Sequence, residues 1–405
     1  MARIFLNTLG GKISGLLMSR TTLLVVYLTL AAGSALKQYL NHAINNYLIF
    51  KYTFWHSLRL QPLYPEYPAE YLDSNHYGPF FAVIIAPFAL LPDWAGVILW
   101  NIFNTAVLFY AIWQLPVSEY KRKIILWICS HELLTALLSV QFNVAITGFI
   151  VLSFCYLERQ RLFPATVSMM LGLFTKLYGI VGLAFFFFIR HKWRFIGTFV
   201  GIFITFVVLP AILSNLDFVW NAYRDWYQSL VLKNSYNQGS DMADISFFGF
   251  LRRTTGLHVN VLYGCLIAAI LLGFALLRYK QHISLQYRLM TLCYVLLCLV
   301  LFNTNVESPT YIIAFVGVAI WFTLVPKNPY TISLLIFAIL LTSFSPSDLF
   351  PRFVREEYVK PYALKALPCI LIWFDIAGRV LFANFLTSSR DQDYLNQPNI
   401  NEHRY

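Results

Sequence analysis

Residues 71–92 read YLDSNHYGPFFAVIIAPFALLP, a stretch in which two titratable side chains, Asp73 and His76, stand at the start of an apolar segment bounded by prolines. Many similar apolar segments follow along the chain, several of them close to the roughly 20 residues that span a bilayer as a helix. Of the 405 residues, 59% are hydrophobic and only 12% are charged, whereas about a quarter are charged in a soluble domain. The sequence therefore predicts an all-α polytopic membrane protein.

We expect about 11–13 transmembrane helices, several of them short or broken, because many apolar runs fall below the spanning length. Short runs that meet at polar residues are typical of helices that stop partway beside a wet cavity. No repeat and no Pro-, Gly- or Ser-rich linker divides the chain, so a single transmembrane domain is predicted over 1–405. We expect a core at 20–330, further spans at 331–386 and a cytoplasmic tail at 387–405.

The net charge of +11 is concentrated in short basic loops between apolar runs, which is the pattern of cytoplasmic loops rather than of a nucleic-acid-binding surface. The opposite, outer side then receives a long first loop, three further polar segments and two polar helix breaks. The basic loops are KRK (121–123), ERQR (158–161), RHKWR (190–194), RYKQHISLQYR (278–288) and PKNP (326–329). The outer segments are 41–77, 214–258, 303–309 and 346–365, with breaks at Gln141–Asn143 and at Lys176.

Lys176 interrupts an apolar run in LGLFTKLYGIVG (171–182). A lysine is costly at membrane depth, so it is a candidate functional residue by default. A phosphate is its expected ligand, and a lysine that snorkels to the interface is the alternative. Gln141 and Asn143 stand at a second break and could bind hydroxyls or phosphate, or could cap helices. Glu307, before a proline, is either a further site carboxylate or a helix-dipole charge.

The outer loops supply the remaining candidates. Loop 41–77 carries Asn46, Arg59 and Tyr64 before Asp73 and His76, and its many aromatic residues fit short helices on the membrane surface. Asp73 and His76 stand where an aqueous acceptor could meet a lipid-borne donor, or else they are a helix cap and an interfacial ring. Loop 214–258 mixes Trp226 and tyrosines with carboxylates, which suits either a sugar surface or an interfacial aromatic belt.

Several of these stretches, taken in order, resemble the GT-C glycosyltransferases and, among them, glycosyltransferase family 87, including polyprenol-phosphate mannosyltransferases of the mycobacterial type. The family pattern places an acidic stretch after the first span, then a loop tyrosine, a proline-bounded apolar segment, Q-x-N and a lysine between short helices. The similarity covers most of 20–330. Its counterparts here are NNYLIFKY (45–52), PLY (62–64), YGPFFAVIIAPFALLP (77–92), QFN (141–143), FTKLYG (174–179) and, more loosely, NVESPTYI (305–312).

This resemblance implies a GT-C-like bundle that transfers a hexose or pentose, mannose-like, from a polyprenyl-phosphate donor to a glycan or glycolipid acceptor, with inversion. It implies no cofactor and no metal, membrane lipids as neighbours, and a bacterial inner membrane with the site facing the periplasm. The donor phosphate is then bound by Lys176 with Arg59, Gln141 and Asn143. Asp73 is the first candidate for the catalytic carboxylate and Glu307 the second, and the expected substrate-binding residues are Asn46, Tyr64, His76 and Trp226.

One position departs from the family pattern, because the first-loop aspartate falls on Asn46, and an amide cannot act as a general base. Two other functions therefore stay open. One is a transporter or flippase for a lipid-linked sugar, since broken helices with polar junctions also mark transporters. The other is a non-catalytic family member that assists the assembly of a surface polysaccharide.

Overall fold

The computed structural model describes residue 15 and residues 17–237, 244–303 and 306–386, so the predicted tail at 387–405 lies outside the described residues. The described chain is helical, and its one β contact is an isolated bridge between Asp244 and Val306. The first eight α-helices are α1 (Arg20–Leu40), α2 (Asn45–Leu58), α3 (Phe81–Ala89), α4 (Asp93–Trp113), α5 (Glu119–Leu138), α6 (Asn143–Glu158), α7 (Leu162–Lys176) and α8 (Lys192–Val208). The others are α9 (Leu216–Asn237), α10 (Phe247–Thr255), α11 (Val261–Leu276), α12 (Leu285–Leu301), α13 (Tyr311–Leu324), α14 (Pro329–Phe337), α15 (Arg352–Val354) and α16 (Leu367–Phe382).

Short 3₁₀ and π segments join or extend these helices. The 3₁₀ segments are Tyr178–Phe188, Leu209–Ile212, Tyr279–Ile283, Ser308–Thr310 and Leu364–Ala366, and the π segments are Ala338–Phe344 and Arg355–Val359. Among the described residues, three helices are long and apolar enough to cross a membrane, namely Arg20–Leu40, Asp93–Trp113 and Lys192–Ile212. Seven shorter apolar helices accompany them. The chain is therefore an all-α polytopic membrane protein, as the composition predicts, and several of its helices are short.

Contacts divide the chain into two compact units. The first consists of Met1–Ser240 with Glu307–Ile313, and the second of Asp241–Val306 with Ala314–Tyr405. In the second unit α12 packs on α16. The single transmembrane domain over 1–405 stays a prediction. All ten predicted site residues belong to the first unit.

A helical hairpin in the first unit carries Lys176 at its tip. Helix α7 ends at Lys176, Leu177 takes a left-handed φ of 60°, and the 3₁₀ segment Tyr178–Phe188 packs back along α7. A Cβ at Gly179 would lie 2.0 Å from the carbonyl oxygen of Met169, so only glycine permits this close approach. The base of the hairpin is closed where the Arg190 N–H donates to Gln160 Oε1 at 3.2 Å.

Two arginines and Asn143 lie at opposite ends of α6 in the first unit. Helix α6 begins at Asn143 and ends at Glu158, where Arg159 donates to Gln114 Oε1 at 2.5 Å. Arg122, at the start of α5, donates to the Leu115 carbonyl at 2.9 Å. The end of α6 that holds Asn143 therefore faces away from these arginines, in agreement with the loop-charge pattern.

The segment 214–258 is not a loop, contrary to the prediction, because most of it forms α9 and α10. Asn215 starts α9 by accepting the Phe218 N–H on its side-chain oxygen at 2.8 Å, which is a standard N-terminal cap. One face of α9 is buried in the first unit and repeats at helical spacing. The residues of that face are Val219, Ala222, Trp226 and Ser229. The low hydropathy of 214–258, which predicted a loop, therefore comes from a helix that buries only one face.

Candidate active site at the hairpin tip

A chain of three hydrogen bonds joins the lysine at the hairpin tip to a carboxylate. Lys176 Nζ donates to Asn143 Oδ1 at 3.0 Å, and Asn143 Nδ2 donates to Gln141 Oε1 at 2.7 Å. Gln141 Nε2 then donates to Glu307 Oε2 at 2.6 Å. Every bond points from the cation to the anion, so the two amides are polarised in one direction. The structure thus brings together four of the predicted residues from three separate parts of the chain.

The ammonium group of Lys176 keeps donor capacity for a ligand. It has three N–H donors, and in the described part of the chain one of them is used by Asn143. The rings of Tyr77 and Tyr178 lie 5.5 and 5.6 Å from the nitrogen, within the range of cation–π attraction. Lys176 is half-buried. A partly desolvated cation with spare donors is suited to an anionic group such as a phosphate.

The segment that follows Asp73 runs directly to this tip. Gly78 donates its N–H to the Thr175 carbonyl at 3.0 Å. A Cβ at Gly78 would lie 2.2 Å from the carbonyl oxygen of Phe174, so glycine allows the two backbones to meet. Because Tyr77 precedes Gly78, this contact also sets the tyrosine ring beside Lys176.

Asp73 and His76 stand at the start of that segment and face α9. Asp73 has a left-handed φ of 70° and accepts the Ser74 N–H on Oδ1 at 2.8 Å. Its other oxygen lies 3.7 Å from Lys233 Nζ, and 63% of its side chain is exposed. His76 Nδ1 shares a hydrogen bond with Ser229 Oγ at 2.8 Å. The predicted pair is therefore one exposed carboxylate and one largely buried imidazole.

Burial, together with the nearby cations Lys233 and Lys176, lowers the pKa of His76 to about 4, while Asp73 opposes them. The ring is therefore neutral at pH 7. The two clusters are near neighbours, because the backbone bond from Gly78 to Thr175 joins the Asp73 segment to the hairpin tip.

The family model described as Glycosyltransferase family 87 matches residues 75–304, more than half of the 405 residues. The chain belongs to glycosyltransferase family 87. Membership makes it a membrane glycosyltransferase in general terms, with a sugar donor and an acceptor. Comparison with individual curated proteins gives no match.

The family 87 match includes five of the predicted site residues and leaves five outside it. His76, Gln141, Asn143, Lys176 and Trp226 lie inside residues 75–304. Outside it are Asn46, Arg59, Tyr64, Asp73 and Glu307, the last two within three residues of its ends. The family match therefore covers neither predicted carboxylate, and the roles proposed for them rest on their contacts in this structure.

Two predicted aromatic residues hold the backbone of the Asp73 segment. The indole Nε1 of Trp226 donates to the His76 carbonyl at 2.9 Å, and the Tyr64 hydroxyl donates to the Tyr77 carbonyl at 3.1 Å. Tyr64 is half-buried and Trp226 is buried. In this structure both hydrogen-bonding groups have protein partners, so they position the segment on which His76 and Tyr77 lie.

Asn46 and Arg59, both predicted on the first outer loop, have different surroundings. Asn46 Nδ2 donates to the carbonyl of Ser139, two residues before Gln141, at 2.8 Å. Arg59 is exposed, and its guanidinium lies 5.8 Å from the ring of Trp55. Among the described residues no contact joins Arg59 to Lys176, Gln141 or Asn143, and the amide bonded to Lys176 is that of Asn143.

Sequence reasoning missed two polar residues of α9 and three side chains that contact the helix break. Ser229 and Lys233 follow Trp226 at helical spacing, so a test for periodicity in 216–237 could have found them. The other three residues donate to main-chain carbonyls far away in sequence, for which no local signal exists. They are Gln38, Trp100 and Asn101.

Proposed function

We propose that this family 87 member transfers a hexose or pentose, mannose-like, from a polyprenyl-phosphate donor to a glycan or glycolipid hydroxyl on the outer face of the membrane, with inversion. The observation that carries the proposal is the bonded chain from Lys176 through Asn143 and Gln141 to Glu307. It holds a cation with spare donors at the tip of a short hairpin, which supports a role for Lys176 in binding the phosphate of a lipid-borne donor.

Lys176 binds the donor phosphate in this proposal and stabilises it as it leaves. The phosphate gains negative charge when its bond to the anomeric carbon breaks, and an ammonium already in place favours that change. Asn143 and Gln141 hold the lysine in position. Glu307 supplies the counter-charge at the other end of the amide chain. Its carboxylate is thus occupied by an amide donor.

Asp73 is the better candidate for the general base. Its carboxylate is mostly exposed and only loosely paired with Lys233 at 3.7 Å, so an acceptor can approach it from water. The acceptor hydroxyl gives its proton to Asp73 as its oxygen bonds to the anomeric carbon, and the bond from that carbon to the phosphate oxygen breaks. One displacement inverts the anomeric centre.

The remaining candidates shape the space around the donor sugar. His76 is neutral at pH 7, because its pKa is about 4, so its ring can exchange hydrogen bonds with hydroxyls without carrying charge. Trp226 and Tyr64 hold the backbone of the same segment. Arg59, exposed on α2's end, is available to an acceptor headgroup rather than to the phosphate held at Lys176.

The charge distribution supports an outer-face site. The guanidinium groups of Arg122 and Arg159 lie at the end of the first unit away from Asn143. Arg190 lies at the base of the hairpin whose tip carries Lys176. Basic ends face the cytoplasm under the loop-charge rule. The hairpin tip then faces the periplasm, if the membrane is a bacterial inner membrane.

A transfer assay in proteoliposomes tests this function. Polyprenyl-phosphate hexoses and pentoses are offered as donors beside the corresponding nucleotide sugars, and the anomeric configuration of the product is read by NMR. We expect transfer from a lipid-phosphate donor only, with inversion. Lys176→Met should lower kcat/KM for the donor about 10²-fold, the size of the loss when one charge-stabilising donor is removed.

Lys192→Met is the matched control, because its ammonium also lies over an aromatic ring, Phe186, at 5.9 Å but at the basic end of the chain. It should stay within about threefold of the parent, as surface charge changes usually do. Movement of the lipid-linked sugar across the bilayer without transfer would support a flippase. Neither transfer nor movement would support a non-catalytic family member.

A further inference from the structure

The last four carbonyls before Gln141 each accept a hydrogen bond from a side chain of another helix. Asn101 donates to Leu137 at 3.1 Å, Gln38 donates to Leu138, Asn46 donates to Ser139 at 2.8 Å, and Trp100 donates to Val140 at 3.3 Å. The donors come from α1, α2 and α4.

Helix ends leave four carbonyls without a partner inside the helix, and solvent or a glycine turn usually satisfies them. Here the turn is made at Val140, whose φ is 54°. A β-branched residue is a rare outlier in that left-handed region. The turn has one backbone bond of its own at this point, from the Val140 N–H to the Leu137 carbonyl at 3.0 Å. The side chains of other helices add the contacts that stabilise its unfavourable φ.

The start of the next helix is fixed in the same way. Asn104 accepts the Ala145 N–H on Oδ1 at 3.3 Å, and its amide donates to the Trp100 carbonyl at 2.9 Å. Both sides of the break between α5 and α6 are thus bonded to α4. Gln141 and Asn143 stand between these two sets of bonds.

We propose that Gln38, Asn46, Trp100 and Asn101 are positioning residues, which hold the break so that Gln141 meets Glu307 and Asn143 meets Lys176. The inference rests on the proposed function for its effect on transfer. Within this set Asn46 acts as a hydrogen-bond donor. A carboxylate at position 46 would set its oxygens against the carbonyl oxygen of Ser139, so aspartate there weakens the site at neutral pH rather than restoring a base.

Lowering the pH should restore the hydrogen bond in the Asn46→Asp variant. A protonated aspartic acid has nearly the shape of asparagine and one O–H donor, so it can bond the Ser139 carbonyl again. Because the neutral form fits the folded protein better, the folded-state pKa lies above the ordinary value of about 3.9. The deficit is therefore greatest at high pH and shrinks as the pH falls through that folded-state pKa. A general base at position 46 predicts the opposite trend, because only its ionised form takes a proton.

The experiment compares Asn46→Asp, Asn46→Ala and the parent between pH 5 and pH 8, with kcat and the donor KM measured separately. We expect kcat/KM for the donor to be about tenfold below the parent for Asn46→Asp at pH 8, the order of one lost hydrogen bond. The ratio to the parent should rise towards pH 5. Asn46→Ala should show a deficit that does not depend on pH.

Gln286→Glu is the matched control, since Gln286 Nε2 donates to the carbonyl that ends α13, Leu324, at 2.8 Å in the second unit. It removes the same kind of cap away from the site. Its melting temperature should fall more at pH 8 than at pH 5, while kcat/KM stays near that of the parent. This separates a loss of stability from a loss of positioning.

Two results overturn the inference. One is an Asn46→Asp variant as active as the parent at pH 8 or more so, and the other is a ratio that rises with pH. If the parent transfers no sugar from any lipid-phosphate donor, the proposed function fails instead. The melting temperatures then decide the cap alone. If the melting temperature of Asn46→Asp lies further below that of the parent at pH 8 than at pH 5, the hydrogen bond from Asn46 to Ser139 is supported. A difference in melting temperature that does not change with pH refutes it.

Discussion

Two polar clusters meet at the hairpin tip, and they are built in opposite ways. The first cluster is the series of hydrogen bonds from Lys176 through Asn143 and Gln141 to Glu307. Asn143 is fully buried, and each of the two amides both donates and accepts a hydrogen bond. Asp73, in contrast, is an exposed side chain with a left-handed φ, and it makes a loose ion pair with Lys233.

The contrast shows how one site can treat a lipid-borne anion and an aqueous hydroxyl differently. A buried, bonded chain fixes a charge at low cost in reorganisation, which suits the stabilisation of a leaving phosphate. An exposed carboxylate such as that of Asp73 stays reachable by an acceptor from water. Three substitutions test whether this division is real.

Asp73→Asn should have the largest effect. It removes the proposed base but keeps an oxygen for the Ser74 N–H, and asparagine tolerates the left-handed backbone. We expect kcat to fall about 10²-fold or more, with little change in the donor KM, as for loss of a general base. Steady-state kinetics with a lipid-phosphate sugar measure both constants.

Asp348→Asn is the control, because Asp348 is another exposed carboxylate in an ion pair, 3.2 Å from Arg355 in the second unit. It should leave kcat unchanged. Parent-like transfer by Asp73→Asn would remove Asp73 from the mechanism and leave Glu307 as the remaining predicted carboxylate.

Glu307→Gln should have an intermediate effect that differs in kind. The amide oxygen can still accept from Gln141, but Lys176 loses its counter-charge. The donor phosphate then binds more tightly, and the product phosphate leaves more slowly. We therefore expect kcat and the donor KM both to fall, each about fivefold, which is the order expected for the loss of one half-buried charge interaction. A large fall of kcat at constant KM would instead identify Glu307 as the base and reverse the comparison.

His76→Asn should have the smallest effect, seen in stability against pH. The pKa of His76 is lowered to about 4 in the folded protein, against an ordinary value of about 6.5. The unfolded chain therefore takes up a proton first as the pH falls, and the parent loses stability between about pH 6.5 and pH 4. The variant should lose about 2 °C less in melting temperature over that range.

His191→Asn serves as the control for that measurement, because His191 is exposed at the start of α8. It should follow the pH dependence of the parent. If His76→Asn loses as much melting temperature as the parent between about pH 6.5 and pH 4, the imidazole is not held neutral between Ser229 and its neighbouring cations.

The sequence predicts the parts of this arrangement that interrupt an apolar pattern. Lys176, Gln141 and Asn143 stand out because polar residues are expensive within apolar helices, and the structure joins all three. The short proline-bounded segment is also recovered, as the nine-residue helix α3. Local hydropathy and the cost of burial are sufficient for such features.

Features that depend on distant partners could not be predicted from the sequence. Gln38, Trp100 and Asn101 lie in ordinary helices, and only the folded chain brings them to the carbonyls of α5. Lys233 was missed for another reason, since the low hydropathy of 214–258 concealed the helical spacing of α9. Arg59 was predicted from its charge alone, and its contact with Trp55 has no signature in the sequence.

The hairpin that carries Lys176 has arms of equal reach although their residue numbers differ. Fifteen α-helical residues at 1.5 Å and eleven 3₁₀ residues at 2.0 Å both extend roughly 22 Å. A typical hydrocarbon core is about 30 Å thick. Each arm is therefore about 8 Å shorter than that core, so the hairpin cannot cross a bilayer of full thickness by its own length.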